Sequence, residues 1–92
     1  MSIRVRIPTP LRAMTEGRGE FQVEAADVRE AFGRLDQQFA GLMERLCEED
    51  GSVRRFLNVY VNDEDIRFIQ GLRTALKAGD EVSIVPAMAG GT

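Results

Sequence analysis

Few residues in this 92-residue chain are of a type that could carry chemistry. There is no histidine, which removes the commonest general base and the commonest transition-metal ligand. Neither a Ser-His-Asp triad nor a thiol-imidazole pair can form within the chain. Cys47 is the only cysteine, so no internal disulfide can form. Glu48 and Glu49 follow it, and neighbouring negative charge disfavours a thiolate. A structural role is therefore expected for Cys47 rather than a sulfur-handling one. The acidic runs Glu48-Glu49-Asp50 and Asp63-Glu64-Asp65 lack the ligand spacing of a calcium loop. They read as solvated turns, and no metal site is expected. Gly17-Arg18-Gly19 is followed by a strand pattern and lacks a third glycine, so it reads as a turn and not as a phosphate loop.

What remains is the terminal run Val85-Pro86-Ala87-Met88-Ala89-Gly90-Gly91-Thr92. An apolar strand stops at Pro86, and small residues follow. Glycine and alanine have almost no side chain to bury, and glycine has the freest backbone. Such a segment suits a flexible tail, residues 87–92, threaded into a narrow cleft on another protein with its terminal carbonyl as the reacting group. The plainer reading is a frayed terminus. Chemistry in this molecule is then expected to be performed on it by other proteins.

Composition sets the frame for such a role. Residues are 43% hydrophobic and 29% charged, and net charge is −3 with both signs interspersed. That is the balance of one globular domain, and it lacks the basic face of a nucleic-acid binder. Eleven of the twelve basic residues are arginine. The alternating N-terminus is unlike a signal peptide, and no apolar run approaches a membrane span. With a lone cysteine, a cytoplasmic location is expected, with no nucleic-acid or membrane partner.

The elements that must hold the tail follow from hydrophobic period. Ile3, Val5 and Ile7 alternate with Ser2, Arg4 and Arg6, the period of a half-buried strand; Pro8 and Pro10 end it. Residues 11–19 read as a loop. Phe21 and Val23 mark a second strand, whose Glu20, Gln22 and Glu24 would face Arg4 and Arg6 in an antiparallel pair. Asp27 with Glu30 forms a capping-box signature. Val28, Ala31, Phe32, Leu35 and Phe39 form one apolar helical stripe. Gly33 costs the helix stability and is expected to allow close approach to the sheet, and Gly41 to end the helix. Leu42, Met43 and Leu46 predict a further short turn. Residues 55–62 alternate as the strongest strand, 62–65 turn, 66–68 read as a short edge strand, 71–77 as a short helix, and Val82 and Ile84 lie on a last strand.

Only one face of each strand is strongly apolar, so the sheet should have one open face. The order predicts an α+β, β-grasp (ubiquitin-like) fold over residues 1–86. Its mixed sheet has order 2-1-5-3-4, with one main helix on one face and the first and last strands parallel at the centre. That arrangement places outward-facing Phe56, Tyr60 and Val85 with Arg6 near Pro86, an expected docking patch beside the tail, to which Met88 adds a pliable apolar side chain.

The block from Asn58 to Phe68 (Asn-Val-Tyr-Val-Asn-Asp-Glu-Asp-Ile-Arg-Phe), the Ile7-Pro8-Thr9 segment, the Ala78-Gly79-Asp80 turn and the Ala89-Gly90-Gly91 end together resemble the ubiquitin-like sulfur carriers. These include the molybdopterin synthase small subunit and the thiamine sulfur carrier. The likeness is greatest to the mycobacterial-type carrier of cysteine biosynthesis. The resemblance implies that this is no enzyme but a protein co-substrate with no bound cofactor. An E1-like partner would use ATP to adenylate the Gly91 carboxylate, and sulfide equivalents would convert it to a thiocarboxylate. A pyridoxal-phosphate-dependent cysteine synthase would accept the sulfur, and a zinc metalloprotease of the JAMM type would release the product. Thr92 follows Gly91, so the Gly91–Thr92 bond must be cut before this chemistry can start. Thiamine, molybdopterin and siderophore-type pathways would use the same tail. A modifier conjugated to target lysines and a noncovalent adaptor are the rival readings.

Overall fold

The computed structural model describes residues 2–87. Five strands form one mixed sheet: β1 Ser2–Arg6, β2 Glu20–Glu24, β3 Leu57–Val61, β4 Glu64–Asp65 and β5 Glu81–Pro86. Their order is β2-β1-β5-β3-β4. β1 pairs antiparallel with β2 and parallel with β5, and β3 is antiparallel to both β5 and β4. This is the sheet the alternation predicted, with the parallel pair at its centre. Burial in β1 and β2 is strictly alternate, because each strand faces the core on one side and solvent on the other.

Helix α1 spans Val28–Gln38. Its start is fixed by the expected capping pair: Asp27 Oδ1 accepts from the Glu30 N–H at 2.8 Å, and Glu30 Oε1 accepts from the Ala26 N–H at 2.7 Å. Val28, Ala31, Phe32 and Leu35 are fully buried, each such apolar side chain contributing roughly 1.5–3 kcal/mol on leaving water, alanine less. Phe39, just past the helix, packs edge-on against Phe21 with ring centroids 5.3 Å apart. The helix ends at Gln38, earlier than the Gly41 stop the sequence predicts. Gly41 instead opens α2 (Leu42–Leu46) at φ 95°. Asp36, near the end of α1, accepts from the N–H groups of Gly41 and Met43, so one carboxylate caps the second helix.

Four further expectations are corrected. Residues 9–15 form a 3-10 helix within the predicted loop, entered through Pro8 and Pro10, whose fixed φ suits a helical first turn. The edge strand is Glu64–Asp65, and Ile66–Phe68 is a 3-10 turn, because the Asp65 carboxylate accepts from the Arg67 N–H at 2.9 Å and curls the chain. Only Gly71–Arg73 of the expected 71–77 helix is helical, again 3-10. There the Thr74 hydroxyl donates to Gly71 O and accepts from the Gln70 N–H, closing the turn in competition with a longer helix. The chain then extends, and Leu76 N–H donates to Ala26 O at 2.9 Å. Finally, a Cβ on Gly33 would meet nothing within 4 Å, so this glycine permits no close approach to the sheet.

Candidate functional site

β5 carries the chain out of the sheet centre, so its exit geometry defines the site. Leu57 sits opposite Pro86, Asn58 opposite Val85 and Tyr60 opposite Ser83. The Ala87 N–H donates to Phe56 O at 2.8 Å, one bond beyond the last strand residue. The backbone is thus held in register with β3 up to Ala87. The expected tail residues Met88, Ala89, Gly90, Gly91 and Thr92, including the reactive glycine and the cleavage point, lie outside the described residues.

Strand parity assigns faces at this end. Val85 is 40% exposed and Phe56 53% exposed on the open face. Tyr60 is half-buried on that face. Arg6, in register with Ser83, extends its guanidinium to Glu81 Oε2 at 3.4 Å. The structure therefore brings Arg6, Phe56, Tyr60 and Val85 onto one face at the end from which the tail leaves. Pro86 falls on the other parity, opposite buried Leu57. It lines a cleft of about 330 Å³ together with Pro8, Thr9 and Arg12. Sequence reasoning missed Arg12 and the 3-10 helix carrying it, because a run with prolines and no amphipathic period gives no helical signal.

Among the described residues, no group of three or more His, Cys, Asp or Glu side chains is placed to hold a metal ion. The acidic runs are engaged locally. Asp65 pairs with Arg67 at 2.7 Å, Glu48 with Arg54 at 3.2 Å, and Asp50 accepts from the Ser52 hydroxyl and N–H. The guanidinium of Arg67 beside Asp65 holds its carboxyl below the usual carboxylate range. A wider cleft of about 630 Å³ lies on the β4 side of β3, but its Asp65–Arg67 and Arg54–Glu48 pairs are already satisfied. Cys47 is buried, and burial pushes its thiol pKa up while Arg54 and Arg29 pull it back in part. Low thiolate character was expected from the adjacent acids; desolvation by burial is the cause instead. Gly17 lies in a turn at φ 83°, and Arg18 stacks over Phe21 at 4.2 Å from the ring centroid, neither being arranged around an anion.

A part-buried polar contact ties the block that carried the resemblance to the turn before β5. Asn62 and Asp63 both have positive φ, 51° and 75°, the pattern of a two-residue type I′ hairpin turn. Asn62 Nδ2 donates to Asp80 Oδ1 at 2.8 Å, and Asn62 Oδ1 accepts from the Glu81 N–H at 3.0 Å. Asp80 Oδ2 accepts from the Lys77 N–H at 2.8 Å. The block is thus a structural lock: it ties the β3–β4 turn to the loop that launches β5.

A mixed sheet of this order, a long helix across one face and a chain that leaves from the central strand pair define a ubiquitin-like β-grasp protein. The chain belongs to the ThiS family, whose model matches residues 5–91. The sulfur carrier protein CysO of Mycobacterium tuberculosis is 42% identical over 93 residues, spanning 99% of this chain and 100% of the relative. The crystal structure of Mycobacterium tuberculosis CysO superposes with a TM-score of 0.89 at 40% identity, over 94% of this chain and 99% of that one. A chain of the Amycolatopsis orientalis BexX/CysO complex superposes with a TM-score of 0.88 at 42% identity, over 94% of this chain and 96% of that one.

Proposed function

We propose that this protein is a sulfur carrier whose reacting group is the carboxylate of Gly91. The observation that carries this reading is the family match, which runs through the domain and ends on Gly91, leaving Thr92 outside it. The exit of β5 supports it, since the register with β3 holds the chain as far as Ala87 and ends beside an apolar face. The chemistry follows from the bonds. Hydrolysis of the Gly91–Thr92 peptide frees a carboxylate, and a zinc metalloprotease of the JAMM type is the proposed agent. An oxygen of that carboxylate attacks the α-phosphorus of ATP on an E1-like enzyme, and pyrophosphate leaves. A sulfide equivalent attacks the acyl adenylate, and AMP leaves with the C–O electron pair, giving a thiocarboxylate. In this reading the proton transfers of these steps fall to the partner enzymes, and the carrier contributes the Gly91 carboxylate.

The sulfur acceptor proposed is a pyridoxal-phosphate-dependent cysteine synthase, whose bound aminoacrylate the thiocarboxylate attacks. The basis is the near full-length likeness to sulfur carrier protein CysO. The BexX/CysO complex supports a carrier that docks onto a separate enzyme. The test is incubation with the host's E1-like enzyme, ATP and sulfide, with chains ending at Gly91 and at Thr92. Thiocarboxylate is expected only on the chain ending at Gly91. Lysine-linked adducts that require Gly91 and resist thiol, without thiocarboxylate, would replace the carrier with a protein modifier.

A further inference from the structure

The cleft on the Pro86 side of the exit strand is lined by Ile7, Pro8, Ile84 and Pro86 and by two arginines, Arg6 and Arg12. Arg12 is fixed there. Its Nε donates to Ile7 O at 3.1 Å. Its guanidinium also lies against the Gly19 backbone, where a Cβ would come within 2.7 Å of Arg12 Cζ. The Arg12 terminal nitrogens have no acceptor among the described residues. The chain as a whole is acidic, yet this cleft is lined by two guanidiniums and by no carboxylate; Glu81, outside the lining, reaches Arg6 at 3.4 Å. A pre-positioned, under-neutralised guanidinium in an apolar trough is suited to a bidentate carboxylate.

We propose that this cleft receives an aspartate or glutamate side chain of the E1-like enzyme, anchoring the carrier beside the point where its tail departs. The inference rests on the carrier reading and assigns the partner's chemistry at that site. It is continuous with the open-face patch through Val85 and Arg6, which border both. The anchor constrains docking and leaves the chemistry at Gly91 untouched, so it governs KM for the carrier and not kcat.

The test is the rate of adenylation, read as pyrophosphate release, against concentration of the chain ending at Gly91. Arg12→Gln should raise KM about tenfold with kcat unchanged, as expected for loss of one charge-assisted contact, and the salt dependence of KM should weaken. Gly19→Ala, whose φ lies outside the positive range and whose added methyl would meet the Arg12 side chain as its nearest neighbour, should also raise KM. Arg73→Gln, on an exposed turn that does not line the cleft, should leave KM unchanged. Arg12→Gln or Gly19→Ala within twofold of wild type would overturn the anchor while the carrier reading stands. A wild-type chain ending at Gly91 that is not adenylated overturns the carrier reading, and this inference with it.

Discussion

Replacing Asp80 with alanine probes the lock between the β3–β4 turn and the start of β5. Asp80 is only 8% exposed. Its two oxygens accept from Asn62 Nδ2 and from the Lys77 N–H, both at 2.8 Å. Truncation removes both acceptors at once. Hydrogen bonds to a charged group contribute roughly 1.5–3 kcal/mol each, and water at the rim recovers part of the loss, so a cost of about 2 kcal/mol is expected. In a domain of this size that lowers Tm by roughly 8–16 °C. Urea unfolding followed by circular dichroism should show the midpoint fall with m unchanged. Asn62→Ala should cost more, because it breaks the same contact and also places alanine at a left-handed φ of 51°, adding about 1 kcal/mol. A double-mutant cycle should give a coupling of about 1 kcal/mol between the two residues. An Asp80→Ala cost below about 0.5 kcal/mol, or no coupling, would refute the lock.

The Asp80 carboxyl is held below its ordinary range chiefly by the Lys77 N–H, with Asn62 adding to it, and Asp65 is held low by Arg67. A depressed native pKa contributes stability above the unfolded value of about 3.9, lost as pH falls through the native value. Acid titration of stability should therefore fall below about pH 4, less steeply in Asp80→Ala, and an equal slope would contradict this. Gly33→Ala should raise stability by about 1 kcal/mol, since the added methyl meets nothing within 4 Å; a destabilised variant in urea would show a hidden contact. Cys47, buried with its pKa raised, should react with a thiol reagent only on unfolding, and modification of the native protein at the rate of a free thiol would contradict its placement. Phe32→Ala, at 0% exposure, should cost roughly 3–5 kcal/mol by thermal or urea unfolding, against little change for exposed Phe68→Ala.

The parts of the fold governed by period were legible in the sequence. Alternation set β1, β2, β3 and β5, the stripe from Val28 to Leu35 set α1, and the open face followed from one-sided burial. What was not legible depended on single side-chain bonds. Asp65 turns residues 66–68 away from the edge strand expected to return from the 62–65 turn, and Thr74 stops the helix expected over residues 71–77. Asp36 caps a helix it does not belong to. The candidate site was legible in the same measure. Phe56, Val85, Tyr60 and Arg6 share a face because strand parity puts them there. Arg12 enters the neighbouring cleft through a 3-10 turn whose residues carry no amphipathic pattern. The Asn62-to-Asp80 contact joins residues 18 apart in sequence, and nothing local to either announces it.

The carrier role is tested most directly by the intact mass of the protein recovered from its own host. The expected result is a population ending at Gly91, part of which carries the mass increase of oxygen replaced by sulfur. Protein that always retains Thr92 and never shows that increase would contradict the assignment.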